Sequence, residues 1–253
     1  MNAIDLSILA PALLAGLLVT ATHVPLGMQV LTRGIVFIDI AIAQIAGVGV
    51  ITADLFGWEH AGFAVQLAAL SAALLGALFL TWTEKRWPHV QEAIIGCVFV
   101  LAATLEILLL AGNPHAGEHL RELLIGQILW VSGSQLIGVA LLSLAVCGIW
   151  FKWGEARIGR AGFYILFGLA VTASVQMVGI YLVFSTLIIP ALATRNTTRW
   201  RMLKSYAVGA GGYALGLVVS AVTDLPTGAV IVWAMAMVGI AYNCLDGGKF
   251  ALR

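Results

Sequence analysis

Apolar runs of about twenty residues, separated by clusters of charge, glycine, proline and asparagine, recur along the whole chain. A spanning helix needs about 20 mostly apolar residues, so each run reads as a membrane span and each cluster as a loop. Composition agrees: the sequence is 61% hydrophobic and only 10% charged, with mean hydropathy +1.02. Most of its surface needs lipid as solvent, which defines an all-α polytopic membrane protein. Its 253 residues read as one transmembrane domain, 1–253.

Spans are expected at about 7–31, 35–56, 62–82, 93–111, 134–151, 206–222 and 228–242. The apolar stretch 162–195 is too short for two full crossings with a turn, so it reads as a hairpin of short helices over 163–194. Its arms are Phe163–Val178 and Tyr181–Ala193, turning at Gly179, with Pro190 bending the return. Leu120–Trp130, carrying Arg121 and Glu122, is too short to cross and reads as an interfacial or re-entrant helix. Lys152–Arg160 and the basic run Arg195–Lys204 are expected as loops. This gives about eight transmembrane helices plus the re-entrant element. No Lys or Arg precedes the first apolar run, so Ile8–Val24 is expected to be a retained span and not a signal peptide.

The charges orient the bundle. With the N-terminus outside and the C-terminus inside, 12 of the 13 Lys and Arg residues fall on the cytoplasmic side, and only Arg121 lies outside. His60, His115, His119 and Asp224 fall in outer loops. Cys97, Cys147 and Cys244 have no paired spacing and read as small apolar residues. No internal repeat of the kind expected for an inverted-repeat carrier is visible.

Within the spans the polar set is small: His23, Asp39, Gln44, Gln66, Glu106, Gln127 and Gln176. A carboxylate among apolar membrane residues costs at least a few kcal/mol on insertion scales and by default faces a protein interior or a water path. Asp39 is therefore the first candidate for a transport site, beside the alternative of a structural carboxylate at a helix break. A divalent cation wants carboxylate oxygen and imidazole nitrogen, so His23 and Asp39, each a few turns from Arg33, form the natural metal pair. Gln44 is a weaker path candidate and Glu106 a weak one near the outer end of its span. Glu92, at a helix N-terminus, favours the helix dipole without any further role.

Several strings in this order resemble the permease subunits of ATP-binding-cassette importers for zinc and manganese. They are the Arg33–Asp39 stretch, Glu92-Ala-Ile-Ile-Gly96, Leu124-Ile-Gly-Gln-Ile-Leu129, the run Val178–Ala191, and Asp224-Leu-Pro-Thr-Gly-Ala-Val-Ile231. The resemblance implies a fold related to the cobalamin and siderophore importer permeases, placed in the bacterial cytoplasmic (inner) membrane. It implies a second permease copy, a cytoplasmic ATPase dimer and an extracytoplasmic metal-binding protein as partners, in contact with lipid and not with nucleic acid. The cargo would be zinc or manganese, with Asp39 in the metal path. The region 190–204, with Pro190, Arg195, Arg199, Trp200, Arg201 and Lys204, would couple to the ATPase.

The chain carries no GxxxxGK[ST] loop, so it is read as a transporter subunit without enzymatic chemistry or bound cofactor, its ATP held by the partner. One position departs from the family pattern: the usual histidine four residues after the aspartate is Ala43 here, followed by Gln44. Residues i and i+4 share a helix face whereas i+5 is rotated away. Either His23 supplies the nitrogen, or a different ion is carried, or the passage is water-lined without direct coordination. Two rival readings are an ion-coupled secondary carrier using Asp39 and Glu106, and an intramembrane hydrolase, for which no HExxH spacing appears.

Overall fold

A computed structural model describes residues 6–58, 63–111 and 124–245, except the side chains of 6, 155 and 156. The described residues form helices and turns, with nine helices: α1 (Leu6–Arg33), α2 (Ile38–Leu55), α3 (Phe63–Arg86), α4 (Gln91–Leu109), α5 (Gly133–Gly154), α6 (Arg157–Val178), α7 (Ile180–Ala193), α8 (Arg201–Thr223) and α9 (Thr227–Leu245). All but α7 are long and apolar enough to cross a membrane. Single 3₁₀ turns at Pro88–Val90 and Ile128–Trp130 complete the described secondary structure.

α6 is the hub. Of its membrane-length stretch 67% is buried, against 17% for α4 and for α5, which therefore lie at the periphery with broad apolar faces outward. Phe163, Tyr164 and Phe167 fill the centre, their rings 5.6 to 5.7 Å from that of Phe163. The Arg33 guanidinium stacks over Phe163 at 4.5 Å and pairs with Glu84 at 3.8 Å, which ties the C-terminal ends of α1 and α3 to the N-terminal part of α6.

Small residues set the helix spacing, as expected where lipid removes the hydrophobic drive between helices. A Cβ on Gly212 would come within 2.6 Å of Met235, and one on Gly216 within 2.5 Å of Ile231. These two glycines, four apart on one face of α8, let α9 lie directly against its backbone. Gly27 likewise presses on the Leu187 carbonyl, where α1 meets α7.

Three sequence expectations are corrected. Lys152–Arg160 is not an open loop: helix continues through it, broken only by the non-helical glycines Gly154 (φ 63°) and Gly159 (φ 65°). The hairpin of two short helices is asymmetric. Its first arm starts at Arg157 and has 22 residues, enough to cross, and only α7, with 14, is short. Moving the start from Phe163 to Arg157 removes the length conflict, because the basic residues before Phe163 are themselves helical. Finally, Arg201–Lys204 is the first turn of α8, leaving a loop only from Arg195 to Trp200.

Of the expected helix Leu120–Trp130, residues 120–123 lie outside the described set, as do His60, His115, His119, Arg121, Glu122, Lys249 and Arg253. The described part is helical only at Leu124–Ile125 and in the turn Ile128–Trp130. It enters the bundle: Ile128 is buried, Gly126 (φ 70°) packs directly on the Val178–Gly179 peptide, and Gly179 (φ 83°) packs back on Gly126. Side chains at either position would collide with backbone, so this crossing requires two glycines.

Candidate functional site

Asp39 stands in the first turn of α2 and is 1% exposed. Its Oδ1 has no hydrogen-bond partner, at a helix start whose first N–H groups have no acceptor within the helix. The entry to α2 is fixed from another helix: Glu92, opening α4, accepts the Phe37 N–H at 3.3 Å. Phe37 also stacks on Phe184 of α7, with centroids 6.3 Å apart and planes within 4°. Glu92 therefore does more than favour its own helix dipole, a role the sequence did not disclose because its partner is 55 residues away.

His23 is 0% exposed on α1. Its Nδ1 lies 2.9 Å from both the Val19 carbonyl and the Thr22 hydroxyl, which anchors the ring to its own helix, and Nε2 has no partner. His23 and Asp39 make no ion pair or hydrogen bond with each other. Among the described residues no group of three or more His, Cys, Asp or Glu side chains is placed to hold a metal.

Gln44 and Glu106 do share a space. A cavity of about 710 Å³ opens between α2, α4, α7, α9 and the Leu124–Ile125 segment. α2 contributes Ile40 and Gln44, and α4 contributes Phe99, Ala103, Glu106 and Ile107. Both sets follow helical spacing, so each helix turns one face to the cavity. Asp39 and His23 are not in this wall. The rotation that separates positions i and i+5 thus puts Gln44 on a different face of α2 from Asp39. Tyr181 and Ser185 of α7 also line the cavity, and sequence reading missed them inside an apolar run. Glu106 is 2% exposed and its Oε1 has no hydrogen-bond partner.

The 190–204 region is built differently. Pro190 is buried in α7, and its carbonyl accepts from Thr194 Oγ1 at 2.9 Å and from Ser205 Oγ of α8 at 3.2 Å. Thr197 bonds Tyr242 of α9 at 2.8 Å, and Lys204 Nζ lies 5.5 Å from the Tyr242 ring centroid. On this braced base Arg195, Arg199 and Trp200 are exposed, with Met202 and Leu203 beside them, while Arg201 and Lys204 are half-buried. Trp200 holds left-handed backbone (φ 59°), which costs a non-glycine residue about 1 kcal/mol or more and aims its ring outward.

Eight membrane-length helices with unclaimed buried carboxylates and a cavity opening between them are the architecture of a polytopic membrane permease. The chain belongs to the ABC 3 transport family, whose model matches residues 5–157 and 154–244. It is 25% identical over 255 residues to the manganese import system permease protein ScaB of Streptococcus gordonii, covering 92% of this chain and 90% of that protein. It is 27% identical over 247 residues to the manganese transport system membrane protein MntC of Halalkalibacterium halodurans, covering 89% and 83%. In fold it resembles PsaBC from Streptococcus pneumoniae in complex with Fab, at TM-score 0.78 and 20% identity over 98% of this chain and 95% of that one.

Proposed function

We propose that this chain is the permease subunit of an importer that carries a divalent transition metal, manganese or zinc, into the cytoplasm. The energy would come from ATP hydrolysed by separate subunits. The carrying observation is the family match over residues 5–157 and 154–244 together with an unclaimed carboxylate oxygen buried at Asp39. In this reading Asp39 lies in the metal path, and the free Nε2 of His23 on the preceding helix is the nitrogen available in the spans. Manganese is the better cargo, because oxygen ligands suit it and the histidine that would favour zinc is replaced by Ala43.

A second copy of this chain would pack beside it, for which the peripheral helices offer broad outward apolar faces. The N-terminus would face outward in the bacterial inner membrane, with an external metal-binding protein delivering cargo. The exposed Arg195, Arg199 and Trp200, on a base tied to α7, α8 and α9, suit a docking surface that transmits ATPase motion into the bundle. The test is elemental analysis of vesicles containing this chain, its ATPase and the metal-binding protein. ATP-dependent accumulation of manganese or zinc is expected, and accumulation that persists without the ATPase would favour an ion-coupled carrier instead.

A further inference from the structure

Within the cavity wall one side chain carries a full charge in its ionised form, and nothing in the wall answers it. None of the described lining residues is Lys, Arg or His, and the other polar side chains are Gln44, Tyr181, Ser185 and Trp233. A carboxyl without a partner in apolar surroundings stays neutral by holding its proton unless a cation compensates its charge, so a divalent cation taken up here would displace that proton. Ala103, one turn before Glu106 on α4, lines the same cavity.

The contact between Phe37 and Glu92 gives α2 and α4 a common level from which heights can be compared. Gln44 lies seven residues beyond Phe37 and Glu106 fourteen beyond Glu92. At 1.5 Å per residue, Glu106 stands roughly 10 Å farther along the bundle than Gln44. Asp39 lies two residues from Phe37, nearest the common level. Three oxygen-bearing side chains thus occupy three successive depths. A cation with six waters, at roughly 30 Å³ each, takes roughly 180 Å³. The cavity of about 710 Å³ has the volume to hold it.

We infer that Glu106 is a separate capture station, where a divalent cation still carrying most of its water is held in the cavity before it moves inward past Gln44 to Asp39. This rests on the metal-permease reading. A carboxylate facing a hydrated ion senses charge more than ligand preference, so the station does not distinguish Mn²⁺ from Zn²⁺.

The experiment is initial-rate uptake of Mn²⁺ and Zn²⁺ by cells that express the complete transporter and lack other importers, at matched membrane levels of each variant. Glu106→Gln is expected to raise KM about tenfold or more for both ions by a similar factor, with Vmax within about twofold, and Glu106→Asp to recover most of the loss. An unchanged KM, or a loss confined to Vmax, would overturn the station; a KM effect on one ion only would overturn the hydrated state. A second measurement guards against faulty assembly: the full chain in nanodiscs is titrated with Mn²⁺ and the free ion counted by electron paramagnetic resonance. Wild type and Asp39→Asn should each bind one more Mn²⁺ than their counterparts carrying Glu106→Gln, and equal binding with and without that substitution would refute the station. If the wild-type transporter moves neither ion, the functional reading itself fails; if it moves them and Glu106→Gln is silent, only the station does.

Discussion

Two buried carboxylates in the bundle owe their positions to different causes. Asp39 sits buried in the first turn of its own helix with Oδ1 unclaimed, whereas Glu106 has an unpartnered oxygen in a cavity wall. Glu92 serves the backbone instead, as the acceptor for Phe37 N–H. An exposed hydrogen bond of this kind contributes about 0.5–1 kcal/mol, because water can replace the lost acceptor. Glu92→Ala is therefore expected to lower the unfolding free energy in detergent by about 0.5–1 kcal/mol, and an unchanged transition would remove Glu92 from the support of α2. Asp39 and Glu106 were legible in the sequence because a charge in an apolar run is conspicuous. The Glu92 contact was not, since it joins residues remote in the chain. Nor was the separation of Gln44 from Asp39 into different surroundings fully legible: helical phase implied different faces, but only the packing of α4 and α7 shows what Gln44 faces.

At the level of elements, glycines decide which helices touch. The faces of α8 and α9 meet over Gly212 and Gly216, where added side chains would run into Met235 and Ile231. Gly212→Leu is expected to force these helices apart and cost a few kcal/mol through overpacking, seen as loss of monodisperse protein on gel filtration; wild-type behaviour would contradict the packing. The short α7 carries the other constraint, because its buried Pro190 carbonyl receives Ser205 of α8 and so ties the basic surface to the core. Charge reversal at Arg199 and Arg201 is expected to reduce co-purification of the ATPase with the permease while leaving the permease folded. Unaltered co-purification would place docking elsewhere. Hydropathy located most of these helices, but not the continuation of α6 into the basic run at Arg157. Charged residues end an apolar run in hydropathy without ending a helix, and the basic run stays helical around the two non-helical glycines, Gly154 and Gly159.

For the whole molecule, sequence pattern was enough for an all-helical membrane bundle, because apolar length is set by bilayer thickness and survives any rearrangement of contacts. It could not show that the segment after residue 123 dips into the bundle at Gly126, since that insertion depends on a second glycine, Gly179, more than fifty residues away. With α6 central and α4 and α5 peripheral, the cavity lies to one side of the hub and holds Gln44 and Glu106 but not Asp39. The account therefore stands on a cation passing from that cavity to the carboxylate at position 39. The most direct test is ATP-driven manganese accumulation in vesicles reconstituted with either wild type or Asp39→Asn at equal permease and ATPase content. Accumulation by the wild type and none by Asp39→Asn is the expected result; equal accumulation by both would contradict a path through Asp39.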